Sequence, residues 1–236
     1  MRTGRRVVAV AAGEGLARLF GEAGAVVVPG GPGRRPSAGD LLAAVTGCEA
    51  AEVVLLPNDA DTVATAELAA GELRSRAARA GDAATTTVAV IPTRSQVEGL
   101  AALAVHEPGR GFGADVLEMT ATARHVRQGA VTVAARRAIT MAGPCEPGDA
   151  LGVVAGDFAV VGQDLATVAR EVVERLLAGG GDLLTVVAGR PDPATGADGP
   201  ALAAGLAAYA EEAHPTVDVV VYDGGQDRYP LLISVE

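Results

Sequence analysis

Four short segments carry the residues best suited to chemistry: Gly13-Glu14-Gly15, Pro29-Gly30-Gly31, Pro57-Asn58-Asp59 and Pro92-Thr93-Arg94-Ser95. They offer backbone amides, a carboxamide, two hydroxyls and one guanidinium. Each follows an apolar, strand-like run and leads into a helical pattern. Ligands of open parallel sheets bind at the carboxyl ends of the strands, where helix N-termini favour anions. The expected site is therefore one shared polar cluster of Gly13, Gly15, Gly30, Gly31, Asn58, Thr93 and Arg94, suited to an anion or a polar group of a partner. Each piece also has a purely structural reading. The glycines serve tight strand-to-helix turns, Asn58 and Ser95 serve as helix caps, and Arg94 serves an internal ion pair as well as an anion contact. Arg18 stands where a dinucleotide fingerprint has its third glycine, which argues against a Rossmann cofactor.

The elements that position these loops are legible from periodicity. Residues 6–12, 25–28, 52–56 and 85–91 read as strands, and 16–23, 37–46, 61–79 and 96–105 as the helices between them, with Ser37 and Asp40 forming a capping box. Apolar strands alternating with helices predict a parallel sheet covered on both faces. A turn-rich stretch at 106–113 places the domain boundary, giving a parallel α/β subdomain over 1–106 and a mixed α/β subdomain over 107–236. In the second part the pattern predicts helices at 114–128, 165–177 and 200–212. Strands are expected at 131–135, 183–187, 217–222 and 231–235, with a hairpin over 151–161 that turns at Ala155-Gly156-Asp157.

Composition narrows the chemistry further. Among 236 residues there are 19 basic and 29 acidic side chains, a net charge of −10, and every basic one is Arg. Without Lys there is no Walker A loop, no Schiff base and no Ser-Lys hydrolase. The acidic balance argues against a nucleic-acid partner, whose phosphates need a basic patch. Cys48 and Cys145 form no CxxC pair, and His106, His125 and His214 have no ligand spacing, so neither a disulfide framework nor a metal site is expected. No Ser-His-Asp order and no dense Asp cluster is present, so no catalytic residue is assigned. The apolar run at 7–12 is shorter than a secretory h-region, and no run approaches the ~18–20 residues of a membrane span. A reducing cytoplasm is the expected location.

Ordered blocks along the chain carry a family resemblance. Val8 to Leu16, the Gly30-Gly31 turn leading to Pro36-Ser37 and Asp40-Leu41-Leu42, and Leu55-Leu56-Pro57-Asn58 begin it. Ile91-Pro92-Thr93-Arg94-Ser95 with Gly99-Leu100, Met119-Thr120, Gly129 to Thr132 with Arg136, Gly148-Asp149, Asp223-Gly224-Gly225-Gln226 and Ser234-Val235-Glu236 continue it. The sequence resembles the C-terminal region of the bacterial dihydroxyacetone-kinase-like proteins, represented by the large subunit of fatty acid kinase. The resemblance implies that ATP and Mg²⁺ belong to a separate N-terminal domain, which this chain lacks. It also implies that the fatty acid arrives on a separate carrier protein, recognised with the help of this region. The chain is accordingly expected to be a fragment or split gene product. It would act as a non-catalytic module that recognises the carrier and works with an ATP-binding kinase domain, fused or separate. The alternative is an independent binder or phosphotransferase for a small anionic metabolite at the strand-end loops. Phe112, Phe158, Tyr209 and Tyr229 are candidate docking anchors, with core packing as their structural reading.

Several positions depart from the family pattern. Arg35 precedes Pro36, the loop after Leu56-Pro57 is the acidic Asn58-Asp59-Ala60-Asp61, Arg136-Arg137 replaces an Arg-Asp pair, and Gln226 is followed by Asp227. Carboxylates in place of amides change the charge of that loop edge and hence the partner it suits.

Overall fold

The computed structural model describes residues 2–80 and 86–236. The chain divides into two compact units, Met1–His125 and Val126–Glu236.

Unit 1 contains four parallel strands, β1 (Arg5–Ala11), β2 (Val26–Pro29), β3 (Glu52–Leu56) and β4 (Thr87–Val90), in the order β2-β1-β3-β4. The expected strand start at Thr85 lies outside the described residues. Helices α1 (Glu14–Glu22), α2 (Ala38–Gly47), α3 (Val63–Ala80) and α4 (Gln96–Ala104) connect and follow the strands. Alternation sorts the two faces. Val8, Val10, Val53 and Leu55 pack with Leu41 and Val45 of α2 and Ala66, Ala69 and Ala70 of α3. Val7, Ala9, Val54 and Leu56, on the opposite face, are equally buried, and α1 and α4 pack on β1. Ser37 and Asp40 form the expected capping box, with the Ser37 N–H donating to Asp40 Oδ2 at 2.8 Å.

The boundary falls after α5 (Phe112–His125), not at the 106–113 turn. The reason is a buried ion cluster that fastens α5 and its preceding loop to β1. Asp115 is 0% exposed and accepts from Arg5 Nη1 at 2.8 Å, Arg110 Nη1 at 3.3 Å and the Glu107 N–H at 3.0 Å, with His106 Nδ1 at 2.7 Å. Arg5 also reaches Glu52 on β3. Burial pushes the Asp115 carboxyl up, but the Glu107 amide, His106 and Arg5 outweigh it and hold the group below the ordinary carboxylate value.

Unit 2 holds a six-stranded mixed sheet of order β11-β10-β12-β5-β8-β9. Its strands are β5 (Arg127–Val133), β8 (Ala150–Val154), β9 (Asp157–Gly162), β10 (Leu183–Ala188), β11 (Asp218–Asp223) and β12 (Leu231–Val235). Only β10 and β11 pair in parallel. Helices α6 (Leu165–Leu177) and α7 (Gly199–Ala213) cover one face, with Val168, Val172, Leu176, Ala203 and Leu206 packed on Leu184, Val186, Leu231 and Ile233. The β8–β9 turn is the expected one, Ala155 and Gly156 both taking the positive φ that a tight hairpin needs. Two differences from the sequence reading occur here. Residues 127 and 128, expected to be helical, are strand, because they pair with Val235 and Ser234 of β12. A short hairpin of β6 (Ala138–Thr140) and β7 (Gly143–Cys145), absent from the sequence reading, forms a separate two-stranded sheet.

Candidate functional site

Because the four strands of unit 1 are all parallel, the loops that follow them emerge at one edge of the sheet. There the structure brings Asn58 and Thr93 into direct contact, both buried. The Thr93 hydroxyl donates to Asn58 Oδ1 at 2.7 Å and accepts from the Asn58 N–H at 3.0 Å. Asn58 Nδ2 donates to the Val10 carbonyl at 2.9 Å, and Gln96 Nε2 donates to the Asn58 carbonyl at 3.0 Å. The loops after β1, β3 and β4 are thereby sewn together by their own polar atoms. Asn58 sits at φ 55, a left-handed conformation that Asn tolerates better than most residues. Gln96, which the sequence reading missed, closes the network by accepting from the Ala12 N–H. Its signal was weak, a polar residue at the first position of a helix.

The glycines serve the same close packing. Gly31 takes φ 127, and a Cβ there would strike Ala12, while one on Gly30 would lie 2.9 Å from Pro36 Cδ. Gly13 is the N-cap of α1 and contributes no side-chain cap, and Gly15 is buried in that helix. A Cβ on Gly99 would collide with the Asn58 carboxamide.

Arg94 lies apart from this network. It lines a pocket of about 320 Å³ together with Ile91, Pro92, Glu98, Thr120, Ala123 and Arg124. The N-terminus of α4 is capped by Ser95, which accepts from the Glu98 N–H, and Glu98 reaches back to the Arg94 N–H at 2.6 Å. Burial pushes the Glu98 carboxyl above its ordinary value, against the pull of the Arg94 amide and charge. The lining pairs two guanidiniums, the groups that suit a carboxylate or phosphate, with one carboxylate, Glu98, and with the apolar Ile91, Pro92 and Ala123. Arg124 was not among the sequence candidates. It lies in the last turn of α5, and only the packing of α5 on α4 brings it to Arg94.

The acidic edge of the third loop carries its own counter-ion. Arg35 Nε meets Asp59 Oδ2 at 3.0 Å, and its Nη2 meets Asp61. Two family departures, far apart in sequence, thus partly cancel each other's charge. In unit 2 the departures Asp227 and Arg137 pair instead with Arg190 at 2.6 Å and with Glu146 at 3.0 Å.

Strand ends in unit 2 are tight turns. Gln226 Nε2 donates to the Val187 and Tyr229 carbonyls, each at 3.1 Å. A second pocket, of about 450 Å³, lies where α6 and α7 begin, but Asp164 and Asp198 already cap those N-termini. Of the aromatic candidates, Phe158 is 37% exposed, and Phe112, Tyr209 and Tyr229 lie under the guanidiniums of Arg5, Arg170 and Arg228 at 5.3, 5.0 and 5.8 Å. None of the four is fully buried, although Tyr209 packs against the core of unit 2. Cys145 is packed in the interior, His125 is at the exposed end of α5, and His214 pairs with Glu174 at 2.6 Å. Among the described residues no His, Cys, Asp and Glu side chains group to hold a metal ion, and no helix is long and apolar enough to cross a membrane.

Known proteins extend this description. The family model for the FakA-like C-terminal region of fatty acid kinase matches residues 6–236. Protein YloV of Bacillus subtilis is 26% identical over 231 residues, covering 98% of this chain and 39% of that protein. The uncharacterized protein SAR1202 of Staphylococcus aureus is 24% identical with the same coverage. The chain therefore spans about 39% of the length of these curated relatives. Among solved structures, a DegV family protein from Ruminococcus gnavus superposes with a TM-score of 0.66 at 11% identity, over 98% of this chain and 99% of that one. A fatty-acid-binding DegV family protein from Thermus thermophilus gives 0.63 at 17%, over 99% and 100%. The Streptococcus pneumoniae fatty acid kinase B3 protein loaded with linoleic acid gives 0.59 at 13%, over 85% and 76%. At such identities the likeness is one of fold.

Proposed function

This chain belongs to the FakA-like C-terminal family of fatty acid kinase, and from that membership we propose that it is a non-catalytic recognition module. It binds the fatty-acid carrier whose cargo a separate ATP-binding domain phosphorylates. The observation that carries the reading is the family match across nearly the whole chain, 6–236. The inward-turned strand ends support it. Asn58, Thr93 and Gln96 use their polar atoms on one another and on the backbone, a use that rigidifies a scaffold. Support also comes from the shared fold of a fatty acid kinase B3 protein that carries linoleic acid, since module and carrier would be built on one architecture. ATP and Mg²⁺ belong, on this reading, to the kinase domain.

Titration of the purified chain with fatty-acid carriers from the same genome tests the reading. A carrier binding tighter than about 100 μM is expected, weakening with salt as the −10 charge is screened. Absence of such binding for every carrier, or micromolar Mg²⁺-dependent binding of ATP by this chain alone, would overturn it.

One observation favours a second reading, a binder of a small anionic metabolite: the pocket between Arg94 and Arg124. Titration with acetyl phosphate and with short carboxylates addresses it. On this reading Arg94→Ala weakens the anion by about 1.5–3 kcal/mol with folding unchanged.

A further inference from the structure

The pocket lined by Arg94 and Arg124 carries acceptors as well as cations, and the residues that line it all belong to unit 1. Arg94 and Arg124 are exposed, and the ion pairs of the described residues are made by other arginines. Both guanidiniums are therefore open to a ligand, and a carboxylate is a group their planar donors match. Two acceptors stand in the same lining. Glu98 uses Oε2 on the Arg94 N–H at 2.6 Å, and its Oε1 has no donor among the described residues. The Thr120 hydroxyl donates its hydrogen to the Val116 carbonyl at 2.6 Å, so toward a ligand it can only accept. Burial pushes the Glu98 carboxyl up, because that charge has shed water without gaining a full set of donors. With Glu98 ionised, two guanidiniums and one carboxylate leave the lining with a single net positive charge. A monoanion neutralises it, whereas a doubly charged phosphate group sets a second negative charge against Glu98. Ile91, Pro92 and Ala123 supply apolar surface, and the volume of about 320 Å³ is that of a small-molecule pocket.

We propose that this pocket binds a small carboxylate with a hydrogen-bond donor on the neighbouring carbon, a 2-amino or 2-hydroxy acid with an apolar side chain. Arg94 and Arg124 take the carboxylate, Glu98 and Thr120 take the amino or hydroxyl group, and the side chain lies against Ile91 and Ala123. The inference rests on the small-anion reading and names its ligand class, with Glu98 as the residue that sets the selectivity.

The test titrates the chain, followed by NMR, with leucine, 2-hydroxyisocaproate and 4-methylpentanoate, which share one carbon skeleton and differ only in the substituent at C2. Acetyl phosphate serves as the doubly charged comparison. The two substituted acids should bind roughly tenfold tighter than 4-methylpentanoate, which leaves the acceptors unpaired, and tighter than acetyl phosphate. Arg124→Ala should weaken both substituted acids by roughly tenfold. Glu98→Gln keeps an acceptor for the Arg94 N–H but removes the charge. It should shrink the advantage of leucine over 4-methylpentanoate to less than about threefold and strengthen acetyl phosphate by roughly threefold or more. A damaged fold would weaken both ligands, so shifts in opposite directions report on the site. Equal binding of the three acids, or a preference for acetyl phosphate, overturns the inference and leaves the small-anion reading standing. Substituted acids that bind Arg124→Ala as tightly as the wild type, or keep their full advantage in Glu98→Gln, also overturn it. A wild-type chain that binds none of the four compounds overturns both.

Discussion

In unit 1 polar side chains turn inward at the strand ends, whereas in unit 2 apolar side chains turn outward on a hairpin. Asn58 and Thr93 are 2% and 0% exposed, against 91% and 90% for Ile139 and Met141. The contrast reverses the usual placement of both kinds of group, and the two halves of it have different causes. A buried amide is tolerated only when its hydrogen bonds are made, and the Asn58 carboxamide makes them to Val10 and Thr93, while its backbone carbonyl accepts from Gln96. Its position is therefore demanded by the fold of unit 1. Nothing in unit 2 demands that Ile139 face water, since Ala138 and Cys145 already anchor the hairpin. Inward polarity is demanded by the fold here, and outward hydrophobicity is not.

The contrast breaks most visibly at Asp115. Replacing it with Ala leaves the buried Arg5 with Glu52 as its one carboxylate, and unit 1 should lose about 3–5 kcal/mol in urea unfolding, with hydrogen exchange accelerating across β1 and α5. The same group sets an acid limit. Its folded-state carboxyl lies below the ordinary value, so its contribution is present above the unfolded value near pH 4 and is lost as pH falls through the folded one. Asp115→Ala should flatten the decline of stability below about pH 4.

Asn58→Ala comes next, with an expected loss of about 2–3 kcal/mol, because it strands the Thr93 hydroxyl and the Val10 carbonyl and places a less tolerant residue at positive φ. Gly99→Ala pushes a methyl into that same carboxamide and should cost about 1–3 kcal/mol. In a double-mutant cycle the two should be strongly non-additive, since both act on one network. Last, Ile139→Ser/Met141→Ser should change unfolding stability by less than about 0.5 kcal/mol for either residue. A large loss there would mean the hairpin is part of the fold, and the contrast between the units would fail.

Strand-end loops on a shared edge were readable because parallel βα units leave no other place for them. The capping box at Ser37 was readable because both partners lie within one helical turn. Arg94 was readable as a loop cation but its pocket was not, because Arg124 reaches it only through helix packing. Asp115 and His106 lay in plain view without a signal, since a carboxylate near a helix start is ordinarily a solvated group.

By itself the sequence determined most of the local elements, the parallel character of the first sheet, the 165–177 and 231–235 segments to the residue, and the family blocks that run along the chain. These rest on periodicity and on contacts between near neighbours, which spacing encodes. Tertiary structure alone decided that α5 belongs to unit 1, that Arg35 offsets Asp59 and Asp61, that Asn58 faces inward and that Ile139 and Met141 face outward. Each of those depends on groups distant in sequence meeting in space, or on a neighbour failing to cover a side chain. Residue spacing does not carry that information, because burial and pairing are properties of the packed chain as a whole.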